Sequence, residues 1–354
     1  MNVVQRIFHR PFFIRLFNWE YWSFAAVYTW IYPIWFFLCL RARSFFFFVA
    51  SNPSIKNGGF VGESKKDIVS IIPPEKHPKT IFFSAPVDAE KVLAELQAAQ
   101  MQYPLIGKPN IGGRGRGVKT LRNAEDVREY VKKAFMDFHI QEFVSYKKEA
   151  GIFYYRYPDK DRGVVSGIVR KEFLTVTGDG KSSLRELLRR DSRAIMYFSA
   201  LERIHGEQLD EVLPAGESKI VSPYGNHARG AKFLDDSHLI DEELTTVIDN
   251  LCKEIPGFYF GRLDIRYESW DLLKQGKNFC IIEVNGAGSE PTHMYDPKHS
   301  LFYAWKEIVR HWIILWRISR MNHKKGHRYL TFKEGIEMFR ESKRYDRILE
   351  EMPE

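Results

Sequence analysis

The residues with the strongest chemical implication lie in two short apolar segments late in the sequence. In Gly261-Arg262-Leu263-Asp264-Ile265, period-two alternation sets Arg262 and Asp264 on one strand face; Ile281-Ile282-Glu283-Val284-Asn285 does the same for Glu283 and Asn285. If the two strands pair, a carboxylate from each converges with an amide oxygen. Hard oxygen donors of this kind suit Mg²⁺, with phosphate oxygens filling other positions. Arg262 would then stand beside a phosphoryl group in transfer and offset its developing charge. The plain alternative leaves Asp264 and Glu283 as solvent-facing strand residues, although apolar flanks on both sides favour an inward polar pocket.

A second feature is Gly112-Gly113-Arg114-Gly115-Arg116-Gly117. Glycines let backbone amides approach phosphate oxygens closely, and arginine donates charge-assisted bonds to them. Lys108, four residues earlier at an expected strand end, is placed to neutralise an inner phosphate. Taken alone, a basic glycine-rich loop fits RNA or a mobile surface loop as well as it fits a nucleotide. Neither a G-x-G-x-x-G dinucleotide fingerprint after a strand nor a G-x-x-x-x-G-K-[ST] loop is present.

The elements that must position these residues alternate. Strands are expected over 80–84, 105–108, 140–144, 151–157, 164–175, 258–267 and 278–284, with a further strand after the glycine-rich loop. Helices are expected over 89–101, 125–138, 183–190 and 242–254. Breaker-rich stretches at 52–59 and 72–78 read as a linker. The mixture points to α+β lobes with antiparallel sheets.

This order of motifs resembles the ATP-grasp ligases, in particular their D-alanine–D-alanine ligase and cyanophycin-synthetase-like branches, over roughly residues 103–291. Lys108-Pro109 and the loop Gly112, Gly113, Arg114, Gly115 look like the family's strand lysine and phosphate-covering loop. Ile140-Gln141-Glu142-Phe143-Val144 resembles the hinge that holds adenine, and Glu149 the acidic position near the ribose. Arg170-Lys171 followed by Thr177-Gly178-Asp179-Gly180-Lys181-Ser182-Ser183-Leu184-Arg185-Glu186-Leu187 looks like the family's VxGDGxxTxxEL segment, with Lys171 reaching phosphate from a strand. Asn226-His227-Ala228-Arg229-Gly230 falls where related ligases carry a polar loop near phosphate or acceptor. Arg262, Asp264, Glu283 and Asn285 match the family's arginine and three metal-binding positions.

The resemblance implies a two-lobed ATP-grasp fold that uses ATP and Mg²⁺ to activate a carboxylate as an acylphosphate and join it to an amine. Arg262, Arg229 and Lys171 take catalytic roles, with His227 or His293 able to help deprotonate the amine. Residues 51–102 are too few for the usual N-terminal α/β domain. That region is expected to be reduced, with the first-substrate site completed by it, by another subunit of a homo-oligomer or by a membrane. The continuation Gly286-Ala287-Gly288-Ser289-Glu290-Pro291-Thr292-His293 departs from the D-alanine ligase ending and argues against that specific reaction. An ATP-grasp kinase or phosphotransferase, or a non-enzymatic RNA- or membrane-binding module, are the competing classes.

The ends of the chain carry a different signal. Residues 21–40 contain no formal charge and are flanked by Arg6, Arg10, Arg15, Arg41 and Arg43, and many of the 27 phenylalanines lie before residue 50. Trp and Tyr favour the headgroup interface, Pro33 interrupts the run, and arginines on both sides suit an interfacial element. Residues 1–50 are therefore expected at an anionic membrane surface, with a lipid-linked or amphiphilic carboxylate or amine as substrate. The bland alternative is a segment packed on the catalytic body. Residues 301–354 read as an amphipathic helix, with Phe302, Trp305, Val309, Trp312 and Trp316 on one face, and a charged, solvent-facing tail; that helix could lie on a membrane or on the core. A net charge of +8 favours anionic partners without choosing among them, and nucleic acid is not expected. Cys39, Cys252 and Cys280 show no paired spacing, which points to a reducing compartment, with the catalytic domain in the cytoplasm.

Overall fold

The computed structural model describes residues 10–351, with residues 114, 223, 224, 226, 228 and 229 excepted. Its strands are β1 (Thr80–Phe83), β2 (Leu105–Pro109), β3 (Lys119–Leu121), β4 (Phe138–Glu142), β5 (Lys148–Tyr155), β6 (Val164–Glu172), β7 (Leu174–Thr177), β8 (Ser218–Ser222), β9 (Lys232–Asp235), β10 (Phe260–Tyr267) and β11 (Phe279–Asn285). The chain divides into two units. The larger gathers residues 33–168, 237–291 and 308–354; the smaller takes the chain up to residue 32, 169–236 and 292–307.

The larger unit contains two antiparallel arrangements. The first has strand order β1-β4-β2-β3. Phe83, Leu105, Leu121, Phe138 and Ile140 face helices Ala89–Ala98 and Ala124–Lys132, which contribute Val92, Leu96, Val127 and Val131. Both helices start where a side chain satisfies orphan amides: Asp88 accepts from Glu90 and Lys91, Asn123 from Asp126. The second helix ends at Lys132, short of the expected 138, because Phe138 is taken into β4 opposite Phe83 and Pro109.

The second arrangement centres on β10, flanked antiparallel by β5 and β11. Ile152, Leu263, Ile265, Ile281 and Val284 pack against Leu244, Ile248 and Leu251 of helix Glu242–Glu254, whose N-cap is Asp241. Alternation thus gives β10 and β11 one face on this core; the other face carries Arg262, Asp264, Glu283 and Asn285, along with Phe260 and, from β5, Phe153, which are buried in a second, aromatic core.

Residues 52–59, expected as a linker, are clasped to the larger unit through buried Asn52, Gly58 and Gly59. Asn52, fully buried, donates to the carbonyls of Gly58 (2.9 Å) and Phe260 (2.8 Å) and accepts from the amides of Tyr259 and Phe260 (2.8 and 2.9 Å). The carbonyls of Gly58 and Gly59 accept from Ala287 and Gly288, each at 2.9 Å. Gly59 sits at φ 73°, where a Cβ would fall 2.7 Å from Gly286 Cα, so only glycine fits.

The aromatic front end does not form one helix. It breaks into Phe24–Tyr28 and Tyr32–Ala42, with Pro33 in the first turn of the second, where a missing N–H costs nothing. No helix among the described residues is long and apolar enough to cross a membrane. In the larger unit, Leu38, Cys39, Phe46, Phe47 and Phe48 form a core with Ile314, Leu315, Ile318 and Met338. Trp35, Trp312 and Trp316 pack against it. Part of the aromatic excess is therefore packed on the body, and the tryptophan face expected at 302–317 turns inward at Trp312 and Trp316. The charged tail also departs from expectation: helix Phe332–Glu351 buries Met338 and Leu349, and Gly335 lies against the Phe46 ring.

In the smaller unit β7 pairs with β8, and the second half of β6 with β9. Helix Leu184–Arg190 opens with a capping box between Ser183 and Glu186 and buries Leu184 and Leu188. The strand expected over 164–175 is divided between β6 and β7.

Candidate nucleotide and metal site

The register of β10 and β11 sets Arg262 opposite Asn285 and Asp264 opposite Glu283. Directly opposed residues of an antiparallel pair share a face, so all four side chains lie on the side away from the apolar core. The ladder then slips by one residue, pairing Ile265 with Ile281 and Arg266 with Cys280. On the other flank of β10, β5 brings Gly151 opposite Asp264 and Glu149 opposite Arg266.

Arg262 grips Asp264 with two bonds, Nε to Oδ1 at 2.7 Å and Nη2 to Oδ2 at 3.1 Å. Asp264 is only 3% exposed. Glu283 forms no hydrogen bond or ion pair among the described residues. The Asn285 amide has its Nδ2 end buried without a partner; turning that amide over presents an oxygen in the same place. No group of three or more His, Cys, Asp or Glu side chains able to hold a metal occurs among the described residues. The set here is two carboxylates and an amide, which suits a small hard cation with further positions left to phosphate or water.

The polar face of the first sheet lies toward this set. Lys108 is opposite His139, and Gln141 opposite both Ile106 and Thr80, so Thr80, Lys108, His139 and Gln141 share the side away from the first core. Lys108 Nζ donates to Gln141 Oε1 at 2.8 Å, and Gln141 Nε2 to Thr80 Oγ1 at 3.1 Å. Burial pulls the Lys108 ammonium down to about 8, with Glu283 and Glu149 opposing the shift and Lys65 and Arg266 adding to it. His139 is 2% exposed with Nδ1 unpartnered, and burial beside Lys108 and Lys65 drives its pKa down to about 2, so the ring is neutral. At the hinge, Arg266 donates from Nη1 to the Val144 carbonyl at 3.1 Å, pairs through Nε with buried Glu149 at 3.5 Å, and lays its guanidinium over the Phe143 ring. Glu142, opposite Leu105 at the strand end, alternates to the other face.

The glycine-rich loop takes backbone conformations that side chains resist: Gly112, Gly115 and Gly117 have φ of 127°, 71° and 66°. A Cβ on Gly113 would meet open space, and Arg114 lies outside the described residues. Leu349 of the C-terminal helix packs against Gly112, and Arg116 pairs with Asp346 at 3.4 Å. The loop is also held from residues 63–66. Lys65 Nζ donates to the Gly112 carbonyl at 2.6 Å, the Lys65 amide to the Asn110 carbonyl at 2.9 Å, and the Lys66 amide to Asn110 Oδ1 at 2.9 Å. Burial lowers the Lys65 ammonium against the pull of Glu283 and Glu63, and raises the Glu63 carboxyl against Lys65.

Glu63, Lys65 and His139 are absent from the residues the sequence nominates. His139 was findable, two residues before Gln141 on the same strand face. Glu63 and Lys65 follow the clasp at the start of a seven-residue helix, where no periodicity marks them.

Other nominated residues lie in the smaller unit. Lys171 is buried on β6 opposite Phe233, and Arg229 lies outside the described residues. Asp179 accepts from the amides of Ser182 (2.6 Å) and Lys181 (2.9 Å), bonds that hold its carboxyl down at about 2 and close the Gly-Asp-Gly turn. His293 meets Glu307 at 3.3 Å, both buried. His227 meets Glu20 at 2.9 Å beside Arg193, at a cavity of about 220 Å³ lined also by Arg15, Tyr21 and Tyr197.

No protein-family model and no curated protein matches the sequence. Among solved structures, the chain is similar to a bifunctional glutathione synthetase from Pasteurella multocida, at 14% identity and a TM-score of 0.38, over 71% of this chain and 35% of that one. It is similar to the VanG D-Ala:D-Ser ligase from Enterococcus faecalis at 17% and 0.39, over 72% and 61%. It is also similar to the D-alanine–D-alanine ligase from Bacillus anthracis at 14% and 0.40, over 74% and 67%. The match spans about a third of the first of these chains and about three fifths of the second. Within the larger unit, one antiparallel sheet thus carries Lys108 and leads into the glycine-rich loop, and the other carries the Arg-x-Asp and Glu-x-Asn pairs.

Proposed function

We propose that the protein is an ATP-dependent carboxylate–amine ligase. One observation carries the reading: the β10–β11 register puts Asp264 opposite Glu283 and Arg262 opposite Asn285, on a face within electrostatic reach of Lys108. Asp264, Glu283 and Asn285 would hold Mg²⁺, which when bound supplies charge neutralisation at the distal phosphates. Lys108 and the amides around Gly112, Gly113 and Gly115 cover the phosphates. The Gln141 side chain and the backbone at Glu142 and Val144 receive the base, and Glu149 the ribose.

A substrate carboxylate oxygen bonds to the γ-phosphorus as the bond to the bridging oxygen breaks and ADP leaves. Arg262, with Lys108, offsets the charge of that transfer. The amine nitrogen then bonds to the acyl carbon, phosphate departs, and the amine gives up a proton. The loop, closed from Lys65 and the C-terminal helix, keeps water from the acylphosphate.

The finer proposal is that one substrate is amphiphilic or lipid-linked, supported by the exposed aromatic surface of the front end. The free cysteines favour a reducing, cytoplasmic setting for the catalytic body.

The test is turnover with Mg-ATP and a cellular lipid and small-molecule extract, followed by mass analysis of ADP-coupled products. An amide product, lost in Asp264→Asn and Glu283→Gln while circular dichroism is unchanged, is expected. A stable phosphorylated product without amine adduct would move the reading to a kinase. ADP release retained by the double variant would end the metal assignment.

A further inference from the structure

The helix Tyr32–Ala42 carries no charge before Arg41, yet within the larger unit it has two distinct sides. Trp35, Leu38, Cys39 and Ala42, spaced at three and four residues, pack into the aromatic core. Phe36, Phe37 and Leu40 point the other way and are 53%, 57% and 74% exposed. Phe45 (53%) and Phe332 (65%), in edge contact with each other, extend the same unit's exposed apolar surface. A surface helix packed on a core by one side carries polar residues on the other, and this one carries large apolar groups.

The border of the surface is cationic. Arg41 and Arg43 are exposed, and neither has a carboxylate partner among the described residues. Arg43 ends the helix with φ of 54°, its amide bonding to Leu40 and that of Ser44 to Cys39. This is the left-handed capping position where glycine is unstrained. An arginine there keeps a positive charge beside Leu40 at the expense of backbone comfort.

We propose that this face, Phe36, Phe37 and Leu40 with Phe45 and Phe332, inserts shallowly into an anionic membrane surface, with Arg41 and Arg43 on the lipid headgroups. At a rise of about 1.5 Å per residue the helix is roughly 16 Å long, half a hydrocarbon core, so it lies in the interface and does not cross. Aromatic side chains and leucine supply the apolar insertion, and the arginines supply the preference for anionic lipid. A second copy of this chain would offer the same arginines against themselves, whereas headgroup phosphates complement them.

The full chain is tested by flotation with vesicles of phosphatidylcholine alone or mixed with phosphatidylglycerol. A nitroxide on Phe37→Cys, in a Cys280→Ser background, reports depth from its accessibility to oxygen against a water-soluble relaxant. Flotation is expected with the anionic vesicles and to weaken with salt. Phe37→Ser/Leu40→Ser should lower the partition coefficient about tenfold or more, and Arg41→Glu/Arg43→Glu should abolish the preference for phosphatidylglycerol. On the vesicle the nitroxide should become oxygen-accessible. The proposal is overturned if the nitroxide stays water-accessible, or if both double variants float like the parent. It is equally overturned if the face instead mediates a concentration-dependent dimer, seen by light scattering without vesicles and lost in Phe37→Ser/Leu40→Ser.

Discussion

Lys108 offers a prediction whose size follows from its surroundings. Its ammonium, partly buried between the two sheets, has a pKa drawn from 10.5 to about 8 by desolvation, which disfavours the charged form. Phosphate binding requires the charged form. A nucleotide beside the ammonium restores favourable charge and returns the pKa toward the ordinary lysine range of about 10.4. The free protein therefore loses its binding-competent state as pH rises through 8. With affinity reduced by the competent fraction, binding of Mg²⁺ and a non-hydrolysable ATP analogue should weaken about tenfold between pH 7 and pH 9, a cost of about 1.4 kcal/mol. Binding at pH 9 should also take up roughly 0.9 proton, against roughly 0.1 at pH 7. Titration calorimetry in buffers of different ionisation enthalpy measures both quantities. Lys108→Arg keeps its charge throughout and should flatten the profile and remove the proton uptake. An affinity unchanged from pH 7 to pH 9 in the parent, or an equal decline in Lys108→Arg, would refute the argument.

Two further outcomes follow from the packing. Lys65→Met removes the 2.6 Å bond to the Gly112 carbonyl; it should raise hydrogen exchange of the amides at 112–117 and the KM for ATP several-fold. Lys65→Arg should restore part of both, and unchanged loop protection in Lys65→Met would show that the bond does not hold the loop. Phe47→Ala empties a fully buried site in the aromatic core and should cost about 3–5 kcal/mol in denaturant unfolding; a loss below about 1 kcal/mol would mean that residues 33–50 do not belong to the folded body.

The sequence by itself determined the local elements and the orientation of residues within them. Asp241 and Ser183 announce the helices that follow because their side chains satisfy amides a helix leaves orphaned. Period-two alternation put Arg262 with Asp264 and Glu283 with Asn285 before any partner strand was known, because successive side chains on a strand point to opposite faces. It could not decide which residue of β11 meets Asp264, since the pairing depends on the slip at Ile282 and a one-residue change would turn every side chain over.

Only the tertiary structure decided which side of an all-apolar segment is core. Phe36 and Phe47 belong to the same aromatic stretch, and no periodicity separates the exposed one from the buried one; the helices of the C-terminal region make the difference by covering one side. The breaker-rich 52–59 segment likewise reads as a linker until Asn52 meets the backbone of Phe260 and Gly59 meets Gly286. That clasp carries Glu63 and Lys65 to the glycine-rich loop. Contacts between residues two hundred positions apart leave no trace in local pattern, because alternation and capping report only what a residue's near neighbours require.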